Sequence, residues 1–202
     1  MKREWSEETC QAYYNSIIFE QDYRSPHRYI TDEERALQSG DVVADIGAAE
    51  GFFGLDYVER IRKLYLFEMD DSWIIPLKKT FAPWIEKVEV VKKYISDKDD
   101  DENATLDKYF SDKYITYIKA DIEGAEELML KGGENTFRDK VLKALICVYH
   151  LPDQEKNIRR KMETWGYTIA VNKGYILYIW DLKNFKYPYL RHGVLFGEKC
   201  QH

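Results

Sequence analysis

The sequence predicts an α/β fold built on a mostly parallel sheet with helices on both faces. Short apolar runs of strand length recur from residue 41 onward, and they alternate with segments of helical periodicity along most of the chain. No repeat or low-complexity linker splits the chain. Its 202 residues suit one domain, read as residues 41–202, preceded by a helical extension over 1–40.

The elements follow in order. Residues 6–20 read as a helix: Ser6 and Glu8 mark its start, and Tyr13, Ile17 and Ile18 form an apolar stripe. Pro26 then disfavours helix in the residue before it. Val42–Ile46 is an apolar run typical of a parallel strand buried on both faces. A helix is expected over 51–62, a strand over 63–67, a helix over 71–82 and a strand over 88–91. Strand 115–120, helix 124–131, strand 141–149 and helix 153–164 continue the alternation. Two last strands, about 166–171 and 175–181, flank Asn172-Lys173-Gly174, a hairpin-type turn, so a C-terminal antiparallel hairpin completes a seven-stranded sheet.

Composition narrows the function. The formal net charge is −6, where a phosphate-binding protein usually shows a basic face, so no nucleic-acid partner is expected. Cys10, Cys147 and Cys200 include no CxxC and form neither a disulfide framework nor a zinc site. The N-terminus has no apolar signal core, and no apolar run approaches the roughly 20 residues of a membrane span, which makes the cytoplasm the expected compartment. Aromatic residues make up 15% of the chain and sixteen of them are Tyr, a residue equally suited to pocket walls and to half-buried packing.

In open parallel sheets ligands bind beyond the carboxyl ends of the strands, so the residues just after each strand carry the information. The first strand ends in Asp45-Ile46-Gly47-Ala48-Ala49-Glu50-Gly51 and runs into a helix; its glycines let the backbone approach a ligand. A dinucleotide loop calls for G-x-G-x-x-G, but Ala49 stands where the second glycine belongs. S-adenosylmethionine (SAM) has no phosphate, and an acid beside a glycine loop suits its amino-acid end, ribose and sulfonium better. Glu68, seventeen residues after Gly51 and followed by Met69, closes the second strand, where an acid can accept from ribose hydroxyls. Tyr94, Ile95 and Ser96 follow the third strand, in position to meet an adenine. The acidic run 97–103 lacks the glycine and glutamate of a calcium loop and reads as solvated. The fourth strand ends in Lys119-Ala120-Asp121-Ile122-Glu123-Gly124-Ala125-Glu126, with Lys119 and Asp121 on one face. Glu126 also suits a helix N-terminus electrostatically. His150 closes the fifth strand at the same edge.

These segments, with Phe67-Glu68, Thr105-Leu106-Asp107 and Lys131-Gly132-Gly133, resemble the FkbM family of SAM-dependent methyltransferases over about residues 41–170. The resemblance implies the Rossmann-like class I SAM-methyltransferase fold and O-methylation of a small-molecule or glycan acceptor, a sugar or natural product. It implies that Asp45, Gly47 and Gly51 hold the amino-acid end of SAM, with Ala48, Ala49, Glu50, Phe52 and Phe53 in the same loop, that Glu68 holds the ribose, and that Asp121 lies near the sulfonium. Ser25–Tyr29 and Pro188–His192 lie outside the resemblance and are assigned to an acceptor pocket; the expected substrate contacts are His27, Arg28, Glu123, His150 and Arg191. Asp121 and His150 are candidate bases, since an attacking hydroxyl must lose its proton, and Lys119 is an electrostatic helper. Two carboxylates, Asp121 and Glu123, are too few to argue a metal. The rival readings are an NAD-dependent dehydrogenase or epimerase, an RNA methyltransferase and a non-catalytic SAM-binding module.

Overall fold

In the computed structural model, which describes residues 1–179, 182–183 and 185–199, seven strands form one sheet. They are β1 (Val42–Ile46), β2 (Lys63–Phe67), β3 (Val88–Val91), β6 (Tyr117–Ala120), β7 (Lys143–Cys147), β8 (Thr168–Val171) and β11 (Val194–Glu198), in the order β3-β2-β1-β6-β7-β11-β8. β11 runs antiparallel to both neighbours, and the contacts among β3, β2, β1, β6 and β7 are parallel. Two pairs lie outside the sheet: β4 (Tyr94–Ile95) with β5 (Asn103–Ala104), and β9 (Ile176–Leu177) with β10 (Leu190–Arg191).

The helices are α1 (Glu7–Glu20), α2 (Phe52–Tyr57), α3 (Asp71–Thr80), α4 (Leu106–Tyr109), α5 (Glu126–Gly132), α6 (Glu134–Asp139) and α7 (Gln154–Thr164). Local chemistry fixes several starts. The Ser6 and Asp70 side chains accept from the N–H groups of Thr9 and Ser72, and each such cap contributes about 1 kcal/mol. α2 starts at Gly51, which lies at φ 81°. Helix 51–62 is shorter than expected, and its last residues form turns leading into β2.

Strand alternation divides the core in two. Val42, Ala44 and Ile46 pack with Phe67, Ile118 and Ile146 on one face. Val43 packs with Leu64, Leu66, Tyr117 and Leu145 on the other, where Tyr29 and Leu37 of the N-terminal segment join it. Asp45 and Lys119 are register partners on adjacent strands. By the same alternation they project toward this second face, beneath the N-terminal segment.

The C-terminal end differs from the sequence expectation in its pairing. The antiparallel element is present, but the strands flanking Asn172–Gly174 do not pair with each other; β8 pairs with β11 and β9 with β10. The segment expected as a strand over 175–181 contributes only Ile176–Leu177, and its residues 180 and 181 lie outside the described residues. The seventh strand must lie between β7 and β8 with both faces covered. Val194, Leu195 and Phe196, at 0–5% exposure, meet that condition, whereas Tyr175 and Leu177 are at least half exposed. Among the described residues no helix is long and apolar enough to cross a membrane.

Candidate active site

The loops beyond β1, β2 and β6 meet at the carboxyl edge of the sheet. Gly47 and Ala48 donate to the Phe67 carbonyl, and Asp121 N–H donates to the Ile46 carbonyl. Gly47 lies at φ 74°, and a Cβ there would stand 2.0 Å from the Asp121 carbonyl oxygen. No side chain fits between these loops. Ala49 and Glu123 also adopt positive φ, 45° and 55°. Such conformations cost energy without glycine and concentrate at functional sites.

Two cavities open at this edge. One, of about 610 Å³, is lined by Glu68, Met69, Tyr94, Ile95, Ser96 and Asp121, all expected around a nucleoside cofactor, with Asp70 and Trp73 of the α3 end added. The other, of about 560 Å³, is lined by Asp45, Ala48, Glu50, Phe52 and Phe53, by Lys119 and His27, and by side chains of α1 and Tyr149, Ile176 and Tyr178. Gly47, Ala49, Asp121 and Glu123 belong to both walls. The two strained residues therefore stand on the partition between the cavities.

Asp121 is the hub of that partition. Its Oδ2 accepts from Tyr29 Oη at 2.9 Å and lies 3.4 Å from His27 Nε2. Its Oδ1 accepts from Tyr149 Oη at 3.4 Å and lies 3.5 Å from His150 Nε2. Burial raises the Asp121 carboxyl, but the His27 hydrogen bond and the neighbouring Lys119 and His150 outweigh burial and hold it far below the usual carboxylate range. The same carboxylate, after burial, pushes the Tyr29 and Tyr149 hydroxyls well above their ordinary value. Asp121 is thus a fixed anion and a poor proton acceptor.

Behind the hub, His150 is 2% exposed and lies between carboxylates, with Nδ1 3.2 Å from Glu126 Oε1 and Nε2 near Asp121. Burial lowers its pKa, but Glu126, Asp121 and Glu123 outweigh burial and raise it. Glu126 is fully buried and accepts from Ile122 N–H and the Gln154 amide. Asp121, Glu126 and His150 bring ligand atoms within 4.8 Å of one another, a set that shares only Asp121 with the two carboxylates, Asp121 and Glu123, counted from the sequence. The hydrogen bonds and pairings just described already occupy Glu126.

Lys119 is also locked. Its ammonium lies 2.9 Å from Asp45 Oδ1, donates to the Gly47 carbonyl and sits over the Tyr29 ring. Burial raises Asp45 and lowers Lys119, but Asp45 and Asp121 together hold the ammonium above its usual range, so the pair is ionised. Asp45 is fully buried, and its Oδ2 lacks a hydrogen-bond partner although the residue lines a cavity. An ammonium group of a bound cofactor matches that orphaned oxygen. Glu68 accepts backbone N–H bonds from Ala49, Met69 and Asp70. That fills three of about four acceptor positions on a carboxylate, so one remains for a ribose hydroxyl. Together these features fit SAM.

Gly51, Arg28, His150 and Arg191, all expected at the site, line neither cavity. Arg191 is 5% exposed and donates to the carbonyls of Tyr149, His150, Pro188 and Lys186, so it braces the loop after β7. Sequence reading assigned no site role to Tyr13, Glu20, Tyr149 and Tyr178, which the fold brings to the second cavity, together with Tyr29 of the segment expected there. The surplus of tyrosine was the only signal for the three tyrosines, and Glu20 had none. The acidic run 97–103 forms a closed turn in which Asp100 caps Glu102 and Asn103.

A reversed strand between the last two parallel strands, with ligand cavities at the carboxyl edge, defines the class I SAM-methyltransferase fold. The chain belongs to the FkbM methyltransferase family, whose domain model matches residues 67–169. Among solved structures it resembles methyltransferase FkbM from Methylobacillus flagellatus KT, at 18% identity and a TM-score of 0.67 over 96% of this chain and 56% of that one. The present chain thus spans little more than half of that protein. It also resembles M. capricolum TrmK, solved with S-adenosylhomocysteine (SAH), at 13% identity and a TM-score of 0.54 over 83% and 66% of the two chains. A precorrin-6y C5,15-methyltransferase from Geobacter metallireducens is similar at 14% identity and a TM-score of 0.53, over 85% of this chain and 92% of that one. At these identities the likeness is one of fold. No curated protein matches the chain significantly.

Proposed function

We propose that the chain is a SAM-dependent O-methyltransferase acting on a hydroxyl of a sugar, glycan precursor or natural product. The observation that carries this reading is the pair of cavities sharing the wall of Gly47, Ala49, Asp121 and Glu123. Asp45, Gly47, Ala48 and Ala49 hold the amino-acid end of the cofactor, Glu68 the ribose, and Tyr94, Ile95 and Ser96 the adenine. When bound, SAM supplies a methyl group already activated on a sulfonium. The protein's task is then alignment and removal of one proton.

His27 suits the base role better than the two candidates read from the sequence. Asp121 is held too acidic, and His150 lies behind it, outside the acceptor cavity. His27 lines that cavity beside Asp121 and Tyr149. It takes the hydroxyl proton, and Asp121 stabilises the imidazolium that forms. Lys119 keeps the loops in register rather than reacting. An RNA acceptor would require cations along the cavity, yet Glu20, Glu50, Asp121 and Glu123 line it.

Calorimetric titration with SAM, SAH and NAD tests the reading. Micromolar binding of the first two without NAD is expected; binding of NAD alone overturns it. Once an acceptor is found by screening sugars and nucleotide sugars, His27→Gln should lower kcat about 100-fold or more with SAM affinity little changed. Equal loss of both would remove His27 from the base role.

A further inference from the structure

The charge of the second cavity carries a statement about the acceptor, which rests on reading that cavity as the acceptor site. Five carboxylates line it, Glu20, Asp45, Glu50, Asp121 and Glu123, against two basic side chains, Lys119 and His27. Lys119 is consumed by Asp45 at 2.9 Å and by the Gly47 carbonyl. SAM brings two cationic centres, its sulfonium and its ammonium. Granting each a carboxylate still leaves two carboxylates facing His27 alone, so the cavity is acidic in every protonation state of that histidine.

The excess lies at the outer end. Glu20, on the last turn of α1, has the His27 ring as its basic neighbour, with Nδ1 3.9 Å away. Glu50 is held by a neutral donor, Tyr13 Oη, at 2.8 Å. Glu20 and Glu50 repel one another: burial raises the Glu20 carboxyl first, His27 opposes it, and Asp121 and Glu50 add to the rise. His27 supplies an independent sign that a partner is missing. It is 8% exposed, and its Nδ1, on the side of Glu20, has no hydrogen-bond partner. Tyr13, Phe19 and Phe52 wall the same space. Their faces suit both the C–H surface of a sugar ring and a cation.

We propose that the acceptor bears an ammonium group beside its hydroxyls, as an amino sugar or amine-bearing polyol does, and that Glu20 and Glu50 receive that ammonium at the aromatic outer end of the cavity. The same charge disfavours phosphorylated and carboxylated acceptors, so in a screen of sugars and nucleotide sugars the unphosphorylated amino sugars should bind first. The ammonium is a recognition handle, and the methyl group goes to a hydroxyl.

The test uses the whole chain saturated with SAH and three probes of one ring shape: glucosamine, N-acetylglucosamine and glucuronate, titrated at pH 6.5 by ligand-observed NMR. Glucosamine should bind about tenfold tighter than N-acetylglucosamine, the effect of one charge-assisted pair, and glucuronate should show no binding. Glu20→Gln should erase most of that preference and leave SAH affinity unchanged. Binding of glucuronate, equal binding of the two amino-sugar derivatives, absence of glucosamine binding, or an undiminished preference in Glu20→Gln each overturns the proposal. Failure of the chain to bind SAH at the outset would instead overturn the methyltransferase reading, so the two failures are distinct.

Discussion

Lys119→Met should destabilise the chain by about 3–5 kcal/mol, because it leaves the Asp45 carboxylate buried without its cation. Asp45 is 0% exposed and Lys119 4%, so no rearranged surface side chain replaces the partner. For a chain of this size that deficit lowers Tm by roughly 10 °C. A methionine fills nearly the same space as the lysine stem, so the cost is charge and not a cavity. Two controls separate this from general damage. Asp45→Asn combined with Lys119→Met should recover more than half of the loss, since no ion then remains buried. The deficit of the single variant should also shrink as pH falls. Without Lys119, the Asp45 carboxyl, already pushed up by burial, titrates further above its unfolded value, so the folded chain takes up the proton first and gains stability on acidification. The gain is complete near the unfolded carboxylate value of about 3.9. Differential scanning at pH 7 and pH 5 reads it. A deficit independent of pH, or a double variant no better than the single, would mean that the pair does not bear the buried charge assigned to it.

How much of this was legible in the sequence depends on whether the residues concerned obey a period. β1, β2, β3, β6 and β7 were readable because strands at or near the middle of a covered sheet are short, mostly apolar runs, and all but β3 lead into a helix. β11 was not. Val194-Leu195-Phe196 is equally apolar, but it is brief, and both partners are remote: β7 lies about fifty residues earlier and β8 about twenty-five. Asn172-Lys173-Gly174 offered a local turn, and local turn chemistry says nothing about which strand the sheet requires next. The exposure of Tyr175 and Leu177 is the physical reason that the nearer segment could not fill an interior place.

The same distinction divides the site. Asp45, Gly47, Glu68 and Asp121 were readable because topology puts the residue after each parallel strand on one edge. Lys119 was placed on the face of Asp121 by alternation alone, and both line one cavity. Tyr13 and Glu20 come from α1, Tyr29 from an irregular segment and Tyr178 from the region after β9. No spacing connects those positions with the sheet edge, since tertiary packing alone brings α1 over it. The acidity of the second cavity was hidden for the same reason: its carboxylates come from three separate segments, α1, the end of β1 with its loop and the loop after β6, and a net charge of −6 over the whole chain does not say where the charge gathers.

Gly47→Ala should abolish SAH binding, with affinity falling at least about 100-fold, and should destabilise the chain by about 2–4 kcal/mol. Two costs add here. The added Cβ would meet the Asp121 carbonyl oxygen at 2.0 Å and the Ile122 side chain at 3.0 Å, so the β1 and β6 loops must part; overpacking of this kind costs about 1–3 kcal/mol. An L-residue at φ 74° adds about 1 kcal/mol. Gly166 separates the two, because it lies at φ 85° but has nothing within 4 Å of an added Cβ. Gly166→Ala should therefore cost only about 1 kcal/mol and leave SAH affinity intact. The parting of the loops carries the functional loss. It moves Asp121 away from the partition and opens the wall that separates the two cavities, so donor and acceptor would no longer be held in register. Equilibrium unfolding of both variants and calorimetry with SAH read the two effects separately. If Gly47→Ala binds SAH as tightly as the unaltered chain, the partition at Gly47 and Asp121 is not the floor of the cofactor site, and the cofactor would have to be sought in another part of the carboxyl edge.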